Sequence, residues 1–102
     1  MSNNAGVFCY KNHLIGIRLM NGWEVRAGFG PKNLCNNFNM NRNELFPLSF
    51  ATYQSPDAEI FVFKDGIECT ATFFAQHMEG VESKNASAET LAHIISIIQL
   101  LD

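Results

Sequence analysis

The sequence predicts an α+β fold, in which an antiparallel β-sheet made of hairpins is covered by one C-terminal amphipathic helix. Two β-rich segments are each interrupted by Asn-Gly or Asp-Gly, the strongest short-range hairpin signal. Near the end of the chain, aliphatic residues repeat at helical spacing. About five or six strands are expected. The 102 residues are predicted to form a single domain over 1–102, since domains are commonly of this size.

The first hairpin is predicted around the Asn-Gly step at residues 21–22. Apolar residues alternate on both of its strands, namely Ile15, Ile17, Leu19, Trp23, Val25 and Ala27. A three-residue loop places both apolar sets on one face of the sheet, whereas a two-residue loop separates them. We therefore expect Leu19 opposite Trp23, with Gly22 left-handed at a bulge. Glu24 and Arg26 then face water.

The second hairpin, around the Asp-Gly step at residues 65–66, follows the same pattern. A three-residue loop here places Phe61 and Phe63 on the core face. The following strand then continues to Phe74 and contributes to that face Ile67, Cys69, Ala71 and Phe73. Glu68, Thr70 and Thr72 are expected to face water. The second face of the sheet is expected to carry Ile60, Val62 and Phe74.

Three further segments complete the predicted sheet. Alternating apolar residues predict a strand region at 45–53, and residues 8–10 predict a short first strand. Asparagines in the segment 30–43 favour a loop with one helical turn. The residues at 55–57, Ser-Pro-Asp, predict a turn.

The C-terminal helix has the clearest signals. Ser87 is a good N-cap, and Glu89 lies in the first turn, where the helix dipole favours an anion. The predicted apolar stripe consists of Leu91, Ile94, Ile95, Ile97, Ile98, Leu100 and Leu101. The predicted polar face consists of Glu89, His93, Ser96 and Gln99.

Composition predicts a cytoplasmic protein. The N-terminal residues are polar, which predicts no secretory signal. No apolar run approaches the roughly 18 residues that a membrane span needs. Cys9, Cys35 and Cys69 form no C-x-x-C pair, as is typical of a reducing compartment. We interpret the three as small buried hydrophobic residues.

The patterns predict neither catalysis nor a cofactor. Cys9 and His13 would share a face of a strand, but a structural zinc site needs four ligands, so no metal site is predicted. Phosphate-binding glycine loops and hydrolase elbows are absent from the sequence. The sequence does not require any cysteine to lie beside a histidine, as nucleophilic catalysis by a thiol needs. The chain is therefore not expected to be an enzyme. Basic residues are spread singly and the pI is about 5.5, which argues against nucleic-acid binding.

Uneven charge points to a protein partner. Residues 1–56 carry five basic and two acidic residues, and 57–102 carry two basic and eight acidic residues. The predicted partner-binding residues are Asp57, Glu59, Asp65, Glu68, Glu79 and Glu82. An acidic patch suits a basic partner, so we predict an inhibitor, such as an immunity protein or antagonist that covers the basic surface of a toxin or nuclease. The expected loop anchors are Phe38, Met40, Tyr53 and Met78.

The alternative is a small-molecule-binding or homodimeric regulatory domain. In this interpretation the second face of the sheet forms a pocket or a subunit interface. The partner's identity, the strand order, the oligomeric state and the convergence of the acidic residues do not follow from the sequence.

Overall fold

The computed structural model describes residues 5–10, 13–30, 33, 35 and 55–102. In these ranges the strands are β1 (Gly6–Tyr10), β2 (Leu14–Arg18), β3 (Trp23–Gly28), β4 (Asp57–Lys64), β5 (Ile67–Glu68) and β6 (Ala86–Ser87). The helices are α1 (Thr70–His77) and α2 (Ala88–Ile98). The predicted α+β class is confirmed. The predicted strand at 45–53 lies outside the described residues, as does most of the predicted loop at 30–43.

Strands β1 to β5 follow one another across the sheet in chain order, and each neighbouring pair is antiparallel. Strand β6 also pairs with β4, at Asp57 and Ala58. Strand β4 is therefore bonded along both edges. Strand β3 takes one edge, and β5 and β6 take the two ends of the other. Between them, the backbone N–H of Ile60 donates to the carbonyl of Ser83 at 2.7 Å.

The first hairpin has the predicted register. Leu19 N donates to Trp23 O at 2.8 Å, and Gly22 N donates to Leu19 O at 3.1 Å. Gly22 has a φ of 93°, the left-handed conformation that the bulge requires. Ile17 lies opposite Val25, as the shared apolar face demands. The three-residue loop is confirmed.

The second hairpin differs from the prediction in loop length. Lys64 pairs with Ile67, which leaves a two-residue loop. Asp65 and Gly66 have φ values of 53° and 84°, as in a type I′ turn. The second strand ends at Glu68, so the prediction of a strand continuing to Phe74 is wrong.

Helix α1 replaces that strand because side-chain and backbone groups near its start complete the pairing of Val62. Cys69 N donates to Val62 O at 2.8 Å, and Val62 N donates to the hydroxyl of Thr70 at 2.9 Å. The chain can then leave the sheet while both backbone groups of Val62 keep a hydrogen-bond partner. Threonine and phenylalanine favour strands only where the context suits them, and here Phe73 and Phe74 are buried from a helix.

The inner face of β4 is the reverse of the predicted one. The strand residues buried beneath the helices are Val25, Ala27, Ile60 and Val62. Phe61 and Phe63 lie on the opposite face and are half-buried. The prediction placed these two rings in the core, but α1 supplies the aromatic volume there through Phe73 and Phe74. Small β-branched residues on the strand fit beneath those large rings.

Helix α2 begins and faces the sheet as predicted. The Ser87 hydroxyl accepts from Thr90 N at 3.1 Å, which confirms the N-cap. Ile94 and Ile98 are 0% exposed. Leu100, however, is 84% exposed, so its assignment to the apolar stripe is wrong. Its N–H bonds to Ile97 O rather than continuing the α-helical pattern, which turns the side chain outward.

The loop of the first hairpin caps the C-terminus of α2. The side-chain amide of Asn21 donates to Ile98 O at 2.9 Å and to Leu101 O at 2.8 Å. The indole N–H of Trp23 donates to Asp102 O at 3.2 Å. Terminal helix carbonyls need such donors, so these bonds fix α2 to the β2–β3 end of the sheet.

Truncating Ile94 and Leu100 separately tests the orientation of α2. Ile94→Ala is expected to lower the free energy of unfolding by about 2–5 kcal/mol, because it leaves a cavity in the core. Leu100→Ala is expected to change it by less than about 0.5 kcal/mol. Urea unfolding of both variants measures the difference. Equal losses would contradict the described packing.

Candidate functional site

Carboxylates line the edge of β4 that faces away from β3. Asp57 and Glu59 belong to β4 itself, Glu68 belongs to β5, and Glu82 precedes the Ser83 carbonyl that bonds to β4. We call these four residues the acidic edge. They come from three separate chain segments, so β-sheet pairing brings them to one side of the molecule.

Hydrogen bonds position the carboxylates at the start of β4. Asp57 accepts from the hydroxyl of Ser55 at 3.0 Å and from the side-chain amide of Asn85 at 3.1 Å. Glu59 accepts from the side-chain amide of Asn33 at 3.4 Å. These donors are neutral side chains that orient the two carboxylates.

Glu59 and Glu68 line one groove of about 300 Å³. Glu68 accepts a hydrogen bond from the Thr70 hydroxyl at 2.9 Å. The remaining lining residues include the polar Thr70 and Ser83 and the apolar Phe61, Ala71 and Phe74. The groove thus combines two carboxylates with an apolar wall. Of the predicted partner-binding residues, these two are the pair that the structure brings together.

The other predicted acidic residues are more dispersed. Asp65 lies in the β4–β5 turn, at the opposite end of β4 from Asp57, and its carboxylate is 3.5 Å from the ammonium of Lys64. Glu79 is exposed in the turn after α1. The carboxylate of Glu82 lies 4.0 Å from the ammonium of Lys84. Asp65 and Glu79 thus lie outside the acidic edge, and the six predicted residues do not form one compact cluster.

A second charged group lies on the outer face of the sheet, the face opposite the helices. Glu24 accepts from Arg18 Nε at 2.6 Å and, through its other oxygen, from Arg26 Nε. Glu24 is only 3% exposed, so the prediction that it faces water is wrong. The signal was present in the predicted register, which sets Arg18 directly opposite Glu24.

The two arginines keep Glu24 ionised. Burial by itself would raise the pKa of this carboxyl, but hydrogen bonds and charges from Arg18 and Arg26 outweigh burial and lower the pKa below its ordinary value of 4.5. The Glu24 carboxylate therefore stays ionised at neutral pH.

Aromatic rings surround this charged group. The Arg26 guanidinium carbon lies 4.1 Å from the ring centre of Phe63 and 5.8 Å from that of Phe8. The Arg18 guanidinium carbon lies 5.4 Å from the Phe8 ring centre. The Phe8 ring lies over Gly16, where an added Cβ would overlap it. Gly16 thus allows the ring to reach both arginines.

A separate, mostly apolar groove of about 320 Å³ lies beside the start of α2. Its lining includes Ile15, Phe29, Ala58 and Leu91. Ile15 comes from the sheet and Leu91 from the helix. A volume near 300 Å³ is at the lower end of the range for small-molecule sites.

The structure places the three cysteines in different surroundings. Cys9 is exposed, which contradicts its interpretation as a buried hydrophobic residue, whereas Cys35 is buried. Burial and the nearby Glu68 raise the pKa of Cys69, which disfavours its nucleophilic thiolate. His13 lies beyond the end of β1 and so does not share a strand with Cys9. Within the described ranges, no three metal-binding side chains lie together.

The expected loop anchors are mostly untested. Met78 is 5% exposed and packs in the core, so it is not an exposed anchor. Phe38, Met40 and Tyr53 lie outside the described residues.

Comparison of the chain with protein-family models, with curated proteins and with solved structures finds no match. Within the described ranges, neither helix is long and apolar enough to cross a lipid bilayer. A proposal for function therefore rests on the residues of this chain.

Replacing Glu24 tests the charged group. Glu24→Gln is expected to lower the free energy of unfolding by about 1–3 kcal/mol at neutral pH, because one arginine loses its charged acceptor. The lowered pKa of Glu24 stabilises the fold above its ordinary value of 4.5, and this stabilisation is lost as the pH falls through the folded-state pKa.

The measurement is urea unfolding of both proteins over a pH series. The difference between wild type and Glu24→Gln is expected to shrink as the pH is lowered below 4.5. A difference that stays constant or grows with acid would contradict the described ion pairs.

Proposed function

We propose that the protein is a cytoplasmic protein-binding inhibitor, of the kind represented by immunity proteins and antagonists, whose acidic edge covers a basic surface on a toxin or nuclease. The observation that carries the proposal is the convergence of Glu59 and Glu68 on one groove. The charge imbalance of the chain supports it, because the acidic residues are concentrated in the segment that forms this edge.

The groove suits a lysine or arginine side chain of the partner. Such a side chain has an apolar stem and a charged head. Phe61 and Phe74 would contact the stem, and the carboxylates of Glu59 and Glu68 would bind the head. Asp57 and Glu82 would extend the negative potential along the edge and speed encounter with a basic surface.

The backbone beneath the acidic edge favours tight binding. Strand β4 is bonded to neighbours on both edges, and its inner face is buried under the helices. The carboxylates therefore stand on a rigid support, so little conformational entropy is lost when they bind. Inhibition would follow from occupancy, since an enzyme that acts on a polyanion needs its basic cleft open to substrate.

The second candidate is a small-molecule-binding or homodimeric regulatory domain. The apolar groove between Ile15 and Leu91 favours the small-molecule version. It lies on the helix-covered side of the sheet, the side on which the structure also buries Ile60 and Val62, the strand residues predicted for the second face. A ligand screen would follow if no protein partner is found.

Matched charge removal tests the acidic edge. Affinity capture from the native cell at low salt is expected to recover a stoichiometric basic protein that dissociates as the salt concentration rises. The double variant Glu59→Gln/Glu68→Gln is expected to bind that protein at least about tenfold more weakly. Glu89→Gln is the control, because Glu89 is exposed on α2 and lies outside the acidic edge.

Isothermal titration of the captured partner measures all three affinities. Failure to recover any stoichiometric partner at low salt would contradict the proposal. Equal affinity of the double variant and the wild type would contradict the role of the groove.

A further inference from the structure

The side-chain amide of Asn21 connects the first hairpin to the end of α2. Its nitrogen donates to Ile98 O at 2.9 Å and to Leu101 O at 2.8 Å. Its oxygen accepts from Trp23 N at 3.2 Å. The two ends of the amide thus meet groups of opposite kind, which fixes its orientation. The end that faces α2 has to be a hydrogen-bond donor.

Asn21 is followed by Gly22, and an Asn-Gly step is chemically labile. Asparagine is among the thermolabile residues, and glycine has no Cβ to keep its backbone nitrogen away from the preceding side chain. The structure needs both residues of this step. Gly22 has a φ of 93°, and a Cβ there would overlap the carboxylate of Asp65. Asn21 supplies the donor to α2.

The folded structure restrains both groups that would react. The backbone nitrogen of Gly22 donates to Leu19 O at 3.1 Å, and the side-chain amide of Asn21 is held by α2 and by Trp23 N. The nitrogen can reach Cγ of Asn21 only after these hydrogen bonds break. The reaction therefore requires a conformation in which the hairpin loop and the end of α2 have separated.

We propose that Asn21 is a site of spontaneous deamidation, and that the reaction irreversibly releases the end of α2 from the first hairpin. The modification takes place in the loop of the β2–β3 hairpin. It involves none of the carboxylates of the acidic edge, so it is independent of the proposed partner binding.

The reaction consumes water and releases ammonia, with no change in oxidation state. The backbone nitrogen of Gly22 loses its proton to solvent and bonds to Cγ of Asn21. The Cγ–Nδ2 bond breaks, and the nitrogen leaves as ammonia after taking up a proton from solvent. Water then adds to one carbonyl carbon of the resulting cyclic imide and opens the ring. The product is aspartate or isoaspartate, according to which of the two ring C–N bonds is hydrolysed.

The product cannot make the contacts of Asn21. One carboxylate oxygen can still accept from Trp23 N, but the other faces the carbonyl oxygens of Ile98 and Leu101, which are also acceptors. The new negative charge lies at the C-terminal end of α2, where the helix dipole disfavours an anion. The isoaspartate product also lengthens the backbone of the loop.

Lys64 is the cation beside this site. Its ammonium donates to the backbone carbonyl of Asn21 at 3.0 Å and lies 3.5 Å from the carboxylate of Asp65. Because Asp65 already shares this positive charge, the ammonium compensates the new carboxylate only in part. It also leaves the carbonyls of Ile98 and Leu101 without their donor.

Asn21→Asp reproduces the aspartate product and tests its effect. Gln99→Glu is the matched control, because it makes the same change of amide to carboxylate at the same end of α2, on an exposed side chain. Asn21→Asp is expected to lower the urea concentration at the midpoint of unfolding, and to speed amide exchange at residues 99–101, more than Gln99→Glu does. Equal effects of the two variants would overturn the proposal.

Ageing of the protein at mildly alkaline pH, followed by peptide mapping with mass spectrometry, tests the reaction itself. Conversion at Asn21 is expected to be at least about tenfold slower in the folded protein than in urea, because it needs local opening. Ile94→Ala, which loosens the packing of α2, is expected to convert faster than wild type. Leu100→Ala is the control and is expected to convert at the wild-type rate.

Equal rates in the folded protein and in urea would overturn the proposal, as would an Ile94→Ala variant that converts no faster than wild type. Absence of conversion at Asn21 in every sample would overturn it as well. The mapping needs no partner protein, so its outcome leaves the capture experiment on the acidic edge unaffected.

Discussion

The bonding of strand β4 along both edges is the constraint on which the rest of the structure depends. Strand β3 takes one edge, and residues from the segment 67–87 complete the other. Val62 illustrates the arrangement, since its N–H bonds to a threonine hydroxyl and its carbonyl to the first residue before α1. The helix can therefore start where a strand would otherwise continue, and its phenylalanines reach the core.

This arrangement places two charged groups, the acidic edge and the Arg18–Glu24–Arg26 group, on one rigid support. The acidic edge is assembled from β4 and the segments that complete its second edge. The arginines stand on β2 and β3, on the outer face. Because the acidic edge is fixed by backbone pairing, the proposed binding would need little ordering of these carboxylates. The same pairing that stabilises the core thus positions both charged groups.

Local residue patterns predict the first hairpin, whereas the second hairpin and the segment after it depend on contacts that those patterns do not determine. Apolar alternation on two adjacent strands determined the register of the first hairpin, including Gly22. The second hairpin had no such constraint, because its loop length was chosen by assuming that Phe61 faced the core. Strand propensity predicted a strand through Phe74, whereas the buried Phe74 and Met78 are spaced four residues apart, as on one face of a helix. Charge identified Glu59 and Glu68. Their convergence follows from the two-residue loop of the second hairpin, which pairs Glu68 with Phe63 on the face of Glu59, whereas the predicted three-residue loop put the two carboxylates on opposite faces.

Amide hydrogen exchange at Ile60 and Val62 tests the central role of β4 most directly. Their N–H groups bond to Ser83 O at 2.7 Å and to the Thr70 hydroxyl at 2.9 Å. Both amides are expected to exchange only through global unfolding, and Thr70→Val is expected to speed exchange at Val62 more than at Ile60. Exchange at either amide as fast as in exposed turns would contradict the hydrogen bonding described along this edge of β4.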